Sequence, residues 1–324
     1  MTQRRFSRRQ VAGLVGASAM CAGPAGAMVE GMTGSRLNPM VEQPYAPPTN
    51  LSGVADIYRR MTVPIRIDGQ GPFAFVVDTG ANQSVISEEL ASKLRLPRDA
   101  SALLNGVAGS QMAPTTMAAL GIGGRTKLGA VLSILPAAAI GGEGMLGLDQ
   151  LEGERLTLDF RDQTLNVEHG GRFWRDPDDI TVKAHRRNGQ LTLVDADLAG
   201  IPIIAFLDSG AQNTIGNLAL RSLALARHPT SSRMETLILS ATGQTIAAQM
   251  ADLPHLRIGG MGLPNWPVAF ADLHTFTMWD LTNKPAILIG VDILTRFESV
   301  CLDFARDEVR FRLPKAELER TFHS

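Results

Sequence analysis

Short apolar runs, broken by glycine-containing turns, make up most of the chain after residue 60. Residues 63–77 contain two such runs around an Asp-Gly-Gln-Gly turn, and residues 191–207 contain two runs around an Asp-Leu-Ala-Gly turn. Paired runs around an Asp- and Gly-bearing turn are typical of β-hairpins. Because helical periodicity is confined to short stretches, the pattern predicts an all-β fold with few short helices.

The two hairpin patterns open two copies of one longer pattern. In each copy an Asp ends the second apolar run, at positions 78 and 208, and nine residues later come Ser87 and Asn217. Both are good N-caps for the short helical patterns that follow them. Three more segments recur in the same order, namely 120–124 with 256–260, 145–151 with 288–294, and 156–160 with 300–304. The repeat indicates one domain made twice, with insertions in the loops.

In each copy, an Asp carboxylate follows an apolar run and is therefore predicted to be buried. The shared tetrapeptide is Asp78-Thr79-Gly80-Ala81 in the first copy and Asp208-Ser209-Gly210-Ala211 in the second. Each follows an apolar run that is typical of a buried strand, and a carboxylate in that setting is unfavourable unless it is hydrogen-bonded or paired. The matched settings therefore predict that the two Asp side chains pair with each other.

The repeat resembles the retroviral-type, or retropepsin-like, aspartic proteases and their bacterial relatives. The resemblance rests on the two Asp-Thr/Ser-Gly-Ala tetrapeptides and on an apolar-apolar-Gly-x-Asp element behind each, at 145–149 and 288–292. It covers roughly residues 60–167 and 190–313. It implies two retropepsin-like β-barrel lobes in tandem, in the bilobal arrangement of pepsin.

The same resemblance implies a set of functional residues. Asp78 and Asp208 would form a catalytic dyad that shares one proton and activates a water molecule to hydrolyse peptide bonds. The supporting residues would be Thr79, Gly80, Ser209 and Gly210. The hydroxyl groups of Thr79 and Ser209 would brace one lobe against the other. Gly80 and Gly210 would permit a tight turn whose N–H groups reach the carboxylates. Such a mechanism uses no metal and no cofactor.

A substrate cleft also needs a cover. The glycine-bearing segments 105–110 and 240–245 suit the tips of two flaps, with Gly106, Gly109 and Gly243 as the flap candidates. An ordinary surface hairpin fits each segment as well. Two flaps fit better than the single tyrosine-bearing flap of pepsin, because both tyrosines of the chain precede the first Asp.

The N-terminal segment has the pattern of an export signal. Four arginines precede an apolar stretch and a run of small residues, so residues 1–27 predict a signal for the periplasm or cell envelope. Both a Sec signal and a twin-arginine signal fit, and an uncleaved anchor stays open. The remaining chain divides into a linker or pro-segment (28–58), a first lobe (59–168), an inter-lobe linker (169–187), a second lobe (188–314) and a C-terminal tail (315–324).

Charge and composition limit the partners. The chain carries 31 Lys and Arg against 32 Asp and Glu, a formal net charge of −1, and removal of the arginine-rich signal would make it more acidic. Nucleic acid is therefore not expected as a partner. The six histidines show no metal-ligand spacing, and beyond the signal Cys301 is the single cysteine, so no intrachain disulfide can form. No membrane span is expected in the mature chain.

The sequence thus predicts an aspartic endopeptidase that acts on polypeptides. Because both Asp copies lie in one chain, the enzyme is expected to work as a monomer. The alternative is a catalytically inactive peptide- or protein-binding module of the same fold. Inactive copies are expected to lose one Asp or its Gly, and this chain keeps both, so the pattern favours an active enzyme.

Overall fold

The computed structural model describes residues 20–21, 49–52, 54–55, 60–151, 154–168, 179–187, 190–193, 195–227, 234–241 and 243–314. Most of the predicted export signal, most of the segment predicted as a linker or pro-segment, and the whole C-terminal tail lie outside these residues. Export therefore stays a prediction. The described part consists mainly of β-strands with a few short helices, which confirms the predicted all-β class.

Within the described residues, the first half of the chain has twelve strands, and nine of them form one sheet. Its strands are β1 (Met20–Cys21), β2 (Thr49–Ser52), β3 (Val54–Ala55), β4 (Met61–Ile67), β5 (Gln70–Val77), β6 (Val85–Ser87), β7 (Ala100–Gly106), β8 (Gly109–Ile122), β9 (Arg125–Leu135), β10 (Gly144–Leu146), β11 (Arg155–Asp159) and β12 (Thr164–Glu168). Its helices are α1 (Glu88–Lys93), α2 (Ala137–Ile140) and a 3₁₀ turn (Leu148–Gln150). One sheet runs in the order β1-β7-β8-β9-β6-β10-β5-β4-β3. Pairing of β4 with β8 closes part of this sheet into a barrel.

The second half repeats this plan with additional elements. Its strands are β13 (Asp179–Arg187), β14 (Gln190–Leu193), β15 (Ala196–Leu198), β16 (Ile201–Pro202), β17 (Ile204–Leu207), β18 (Ile215–Gly216), β19 (Met234–Leu239), β20 (Thr245–Leu253), β21 (Leu256–Ile258), β22 (Met261–Leu263), β23 (Trp266–Phe270), β24 (Ala286–Ile289), β25 (Ser299–Asp303) and β26 (Glu308–Arg312). Its helices are α3 (Leu218–Arg227), α4 (His274–Met278) and α5 (Val291–Leu294). A small sheet has the order β16-β15-β21-β22.

A thirteen-stranded sheet joins the two halves, in the order β19-β20-β23-β18-β24-β17-β14-β13-β26-β25-β11-β12-β2. At the joint, β11 of the first half pairs antiparallel with β25 of the second, with Leu158 opposite Val300. The predicted inter-lobe linker, 169–187, contains β13, which pairs with β26. The predicted linker or pro-segment, 28–58, contains β2, which pairs with β12. Backbone hydrogen bonds therefore tie one half to the other.

Both predicted helix caps are confirmed. Ser87 Oγ accepts a hydrogen bond from the Leu90 N–H at 3.1 Å, at the start of α1. Asn217 Oδ1 accepts one from the Leu220 N–H at 2.8 Å, at the start of α3. Each cap satisfies an N–H group that the end of a helix would otherwise leave without a partner. Within the described residues, no helix has the length and apolar character needed to cross a bilayer.

Candidate active site

The two Asp residues of the repeated tetrapeptide follow buried strands. β5 and β17 each end one residue before an Asp, and each is flanked by a parallel strand, β10 or β24. The Asp78 N–H donates to Leu146 O at 3.0 Å, and the Asp208 N–H donates to Ile289 O at 2.9 Å. The parallel neighbour thus fixes the end of each strand, and both Asp side chains are fully buried.

Backbone N–H groups of the following turn hold one oxygen of each carboxyl group. Asp78 Oδ1 accepts hydrogen bonds from the N–H groups of Gly80 at 2.8 Å and Ala81 at 3.0 Å. Asp208 Oδ1 accepts the two equivalent bonds, both at 3.0 Å. Such bonds stabilise an ionised carboxylate, and they also fix which oxygen of each group faces its own turn.

The two turns face each other at very short range. A Cβ atom added at Gly80 would lie 2.5 Å from Asp208 Cγ and 2.6 Å from each of its carboxyl oxygens. A Cβ atom added at Gly210 would overlap the carboxyl group of Asp78 in the same way. Glycine is therefore required at both positions by this close approach. The structure places the side chains of Asp78 and Asp208 close together.

Gly80→Ala is expected to disable the site. The added methyl group would displace the Asp208 carboxyl group, and a displacement of about 1 Å at reacting groups can cost about 10²-fold in rate. Peptidase activity and thermal unfolding, measured side by side, would separate this effect from unfolding. Gly124→Ala is the matched control, because a Cβ atom there meets nothing within 4 Å. Equal activity of the two variants would contradict the close approach.

Two hydroxyl groups brace the turns against each other. Thr79 Oγ1 donates to Leu207 O at 3.0 Å and accepts from the Ser209 N–H at 3.0 Å. Ser209 Oγ donates to Val77 O at 2.8 Å and accepts from the Thr79 N–H at 3.0 Å. All of these hydrogen bonds cross between the halves and lie next to the two Asp residues. Thr79 and Ser209 therefore have the geometry of the predicted brace.

The Asp78 carboxyl group is held toward its protonated form. Burial raises the pKa of Asp78 well above its ordinary value, and the nearby charge of Asp208 raises it further. The hydrogen bond from the Gly80 N–H and the positive charge of Arg60 lower the pKa, but they do not outweigh burial. The pair therefore retains a proton at pH values where an isolated carboxyl group is ionised.

Arg60 is a charged neighbour of the dyad that no sequence pattern indicated. Its side chain is buried, and its guanidinium group donates to Ile140 O at 3.1 Å and to Gly141 O at 3.3 Å. Arg60 thus links the start of β4 to the segment around α2. From the sequence, a lone Arg in front of an apolar strand is indistinguishable from an ordinary solvent-exposed charge.

The two predicted flaps reach across to the opposite lobe. Gly106 and Gly109 flank the tip of the β7–β8 hairpin, and Gly243, with a φ of +79°, lies in the tip between β19 and β20. Val107, at the first tip, is fully buried in an apolar cluster made mostly of second-lobe residues. Ala241, at the second tip, is buried in a cluster of first-lobe residues. Each tip therefore completes an apolar cluster of the other lobe.

Polar contacts fasten the first tip to α4. The His274 N–H donates to Val107 O at 2.9 Å, and His274 Nε2 lies 3.1 Å from Ser110 Oγ. The two tips also approach each other, because a Cβ atom at Gly109 would lie 3.4 Å from Gln244 Oε1. The two hairpins therefore meet at their tips, and their role as flaps stays a prediction.

A small cavity of about 110 Å³ lies beside the dyad and has walls from both halves. Its lining residues are Arg60, Ala138, Ala139, Ile140, Gly141, Gly210, Gln212 and Leu239. A larger cavity of about 610 Å³ lies between α3 and the β19–β20 hairpin. Neither Asp78 nor Asp208 lines either cavity, but Gly210 of the second Asp turn lines the smaller one. The smaller cavity is therefore the one that reaches an Asp turn. In the described part of the chain, no cluster of three or more His, Cys, Asp or Glu side chains is suited to a metal ion.

Comparisons with protein families match a segment in each half of the chain. The family model of gag-polyprotein aspartyl proteases matches residues 63–153, which include the first Asp turn. The aspartyl protease family model matches residues 194–293, which include the second Asp turn. A search among curated proteins found no match. The two family matches follow one another, one in each half, and the chain therefore belongs to the retropepsin-like aspartic proteases, with two lobes in a single chain.

Proposed function

We propose that this protein is an aspartic endopeptidase in which Asp78 and Asp208 form a dyad that shares one proton. Its family supports protease activity and a polypeptide substrate. The observation that carries the assignment is the facing pair of buried carboxyl groups, each with one oxygen held by backbone N–H groups. Two like charges so close together are unfavourable, so the pair holds one proton.

The shared proton gives the two carboxyl groups different tasks, as in known aspartic protease dyads. The ionised carboxylate takes a proton from a water molecule, and the water oxygen attacks the carbonyl carbon of the peptide bond. The protonated carboxyl group gives its proton to the carbonyl oxygen, which yields a tetrahedral diol. The dyad then gives its proton to the leaving nitrogen, and the C–N bond breaks. As the carbonyl re-forms, one hydroxyl group of the diol returns its proton to the dyad, which again shares one proton. No cofactor takes part in these steps.

The activity is expected to extend to neutral pH. The dyad works while one carboxyl group is protonated, and it fails when pH rises through the pKa of that group. Because burial raises the pKa of Asp78, this loss should occur well above about pH 3.9, the ordinary Asp value. We expect a bell-shaped profile of kcat/KM with an optimum at roughly pH 5 to 7. An optimum below about pH 3 would contradict the raised pKa.

The rate per enzyme molecule is expected to be independent of enzyme concentration down to the nanomolar range. Both Asp residues lie in one chain, so the second carboxyl group is always supplied at high effective concentration. The experiment is cleavage of a peptide mixture by the purified chain, followed by mass spectrometry over a dilution series. Chelators should have no effect, and a transition-state mimic with a hydroxyl group should inhibit. A specific rate that falls with dilution would show that the dyad forms between chains.

A non-catalytic peptide- or protein-binding module of the same fold is the second candidate. The closed arrangement of the hairpins favours it, because both tips are buried in the opposite lobe. This candidate predicts that peptides bind to the wild type and to Asp78→Asn and remain intact in both cases. Cleavage by the wild type, together with binding and no cleavage by Asp78→Asn, would exclude it.

A further inference from the structure

The Gly-x-Asp elements form the same constellation in both halves, and the proposed mechanism gives them no role. They follow β10 and β24 and have the sequences Gly147-Leu148-Asp149 and Gly290-Val291-Asp292. Each lies against the turn that carries the dyad Asp of its own half. An arrangement that is built twice next to the site indicates a shared task.

In the first half, a hydroxyl group connects the Asp turn to the Gly-x-Asp element. Ser84 Oγ accepts from the Gly147 N–H at 2.9 Å and donates to Asp149 Oδ1 at 2.8 Å. The Leu148 N–H donates to Ala81 O at 2.8 Å. Hydrogen bonds therefore hold the turn both close to Asp78 and at its far end.

The second half has the same connection with a different hydroxyl residue. Thr214 Oγ1 accepts from the Gly290 N–H at 3.1 Å and donates to Asp292 Oδ1 at 2.7 Å. The Val291 N–H donates to Ala211 O at 2.9 Å. The relay from N–H to hydroxyl to carboxyl group is therefore present in both halves, with Ser in one and Thr in the other.

The turn and the Gly-x-Asp element touch so closely that a side chain cannot fit between them. A Cβ atom at Gly147 would lie 2.7 Å from the carbonyl carbon of Gln83, and one at Gly290 would lie 2.6 Å from that of Asn213. These neighbours are backbone atoms, which cannot rotate away as a flexible side chain can. Contact with the Gly-x-Asp element therefore limits where each Asp turn can lie.

Asp149 and Asp292 are buried, and burial is unfavourable for the ionised form of a carboxyl group. Burial raises the pKa of both Asp149 and Asp292, and hydrogen bonds from Ser84 and Thr214 oppose this only in part. A hydroxyl group that accepts from a glycine N–H needs an acceptor for its own proton, and a carboxyl oxygen supplies one. Because a protonated carboxyl group still has one oxygen without a proton, the relay can operate in either protonation state.

We propose that Asp149 and Asp292 are positioning residues for the dyad, and that they act through the hydroxyl groups of Ser84 and Thr214. The inference rests on the proposed function, because it assigns these groups to turnover by Asp78 and Asp208. Each carboxyl group orients its hydroxyl group, and the hydroxyl group holds the glycine N–H. The Asp turn then keeps its own N–H groups directed at the dyad oxygen.

Paired substitutions separate positioning from packing. Ser84→Ala and Thr214→Val remove the hydroxyl group, whereas Ser84→Thr and Thr214→Ser exchange the residues of the two halves and keep it. We expect kcat to fall about 10- to 100-fold without the hydroxyl group, with KM changed by less than about twofold. The exchanges should restore most of kcat. Ser222→Ala, on the exposed side of α3, is the neutral control.

Active sites are counted by titration with a tight transition-state mimic, so that kcat refers to folded enzyme only. Wild-type kcat in Ser84→Ala would overturn the inference. It would also be overturned if Ser84→Thr lost as much kcat as Ser84→Ala, since the volume of the side chain and not its hydroxyl group would then matter.

Amide hydrogen exchange reports on the turn without any turnover. In Ser84→Ala we expect exchange at Gly80 and Ala81 to be about tenfold faster than in the wild type, and exchange at Gly210 to be unchanged, because each relay acts within its own half. Unchanged exchange at Gly80 and Ala81 would overturn the inference even if the wild type cleaves peptides. A wild type that cleaves no peptide, with faster exchange in Ser84→Ala, would count against the proposed function and would support the relay.

Discussion

Asp78→Asn is expected to remove nearly all turnover and to leave the fold intact. Asn keeps the Oδ1 atom that accepts from the N–H groups of Gly80 and Ala81, but it can neither take up nor release the shared proton. Loss of an acid–base group typically costs about 10²- to 10⁴-fold in rate. Asp208→Asn should have the same effect, because the two carboxyl groups act as a unit. The initial rate of peptide cleavage measures both effects, and activity within about tenfold of the wild type would refute the dyad.

The same substitution should change how stability depends on pH. The pKa of Asp78 is raised by burial and by Asp208, so the folded state binds this proton more tightly than the unfolded state. The resulting stabilisation is complete below the ordinary Asp pKa of about 3.9, and it is lost as pH rises through the raised pKa. Asp78→Asn should therefore lose less stability than the wild type between about pH 4 and pH 7. Denaturant unfolding at both pH values provides the test.

Asp303→Asn should destabilise the protein by about 3–5 kcal/mol, the usual effect of breaking a buried ion pair. The Asp303 side chain is 1% exposed, and its Oδ2 accepts from Arg155 Nε and from one guanidinium nitrogen each of Arg306 and Arg310, all at 3.0 Å. Arg155 lies in β11 and Asp303 in β25, so the cluster is at the joint between the halves. The neutral Asn removes the counter-charge that the arginines share. Urea unfolding measures the loss.

An exposed ion pair on the same hairpin is the matched control. Asp307 Oδ1 lies 2.8 Å from Arg186 Nε, and the two side chains are 50% and 45% exposed, respectively. Exposed ion pairs of this kind contribute about 0–1 kcal/mol to the free energy of unfolding. Burial alone would raise the pKa of Asp303, but hydrogen bonds from Arg306 and Arg155 lower it. Its contribution is therefore present at neutral pH and lost as pH falls through the lowered pKa. A loss in Asp303→Asn no larger than in Asp307→Asn would show that the cluster does not hold the joint.

Residue preferences that act over a few positions were sufficient to predict the local parts of the fold. Ser87 and Asn217 cap helices because a short polar side chain can reach an N–H group three residues ahead. That Asp78 and Asp208 face each other was predictable for another reason. In a duplicated domain, equivalent segments occupy equivalent positions in the two lobes. Both arguments use only the chain itself.

Structural features that depend on contacts between residues far apart in the sequence could not be predicted from local sequence patterns. Segment 179–187 has strand character, but its partner β26 lies at the other end of the second half, and the sequence does not specify such pairing. Arg60 has its role only because the segment around α2 folds against it. Val107 and Ala241 are small apolar residues in glycine-bearing loops, and nothing near them in sequence indicates burial in the opposite lobe.

Because each hairpin tip is buried in the opposite lobe, we expect substrate entry to depend on the length of the peptide. If the hairpins act as flaps that open for a polypeptide, the Val107 side chain moves from its apolar surroundings into water at a cost of about 1.5–3 kcal/mol, and Ala241 at a smaller cost. A long peptide that contacts both hairpins can offset this cost with new contacts, whereas a dipeptide cannot. We therefore expect the proposed peptidase to cleave long peptides and to discriminate against dipeptides.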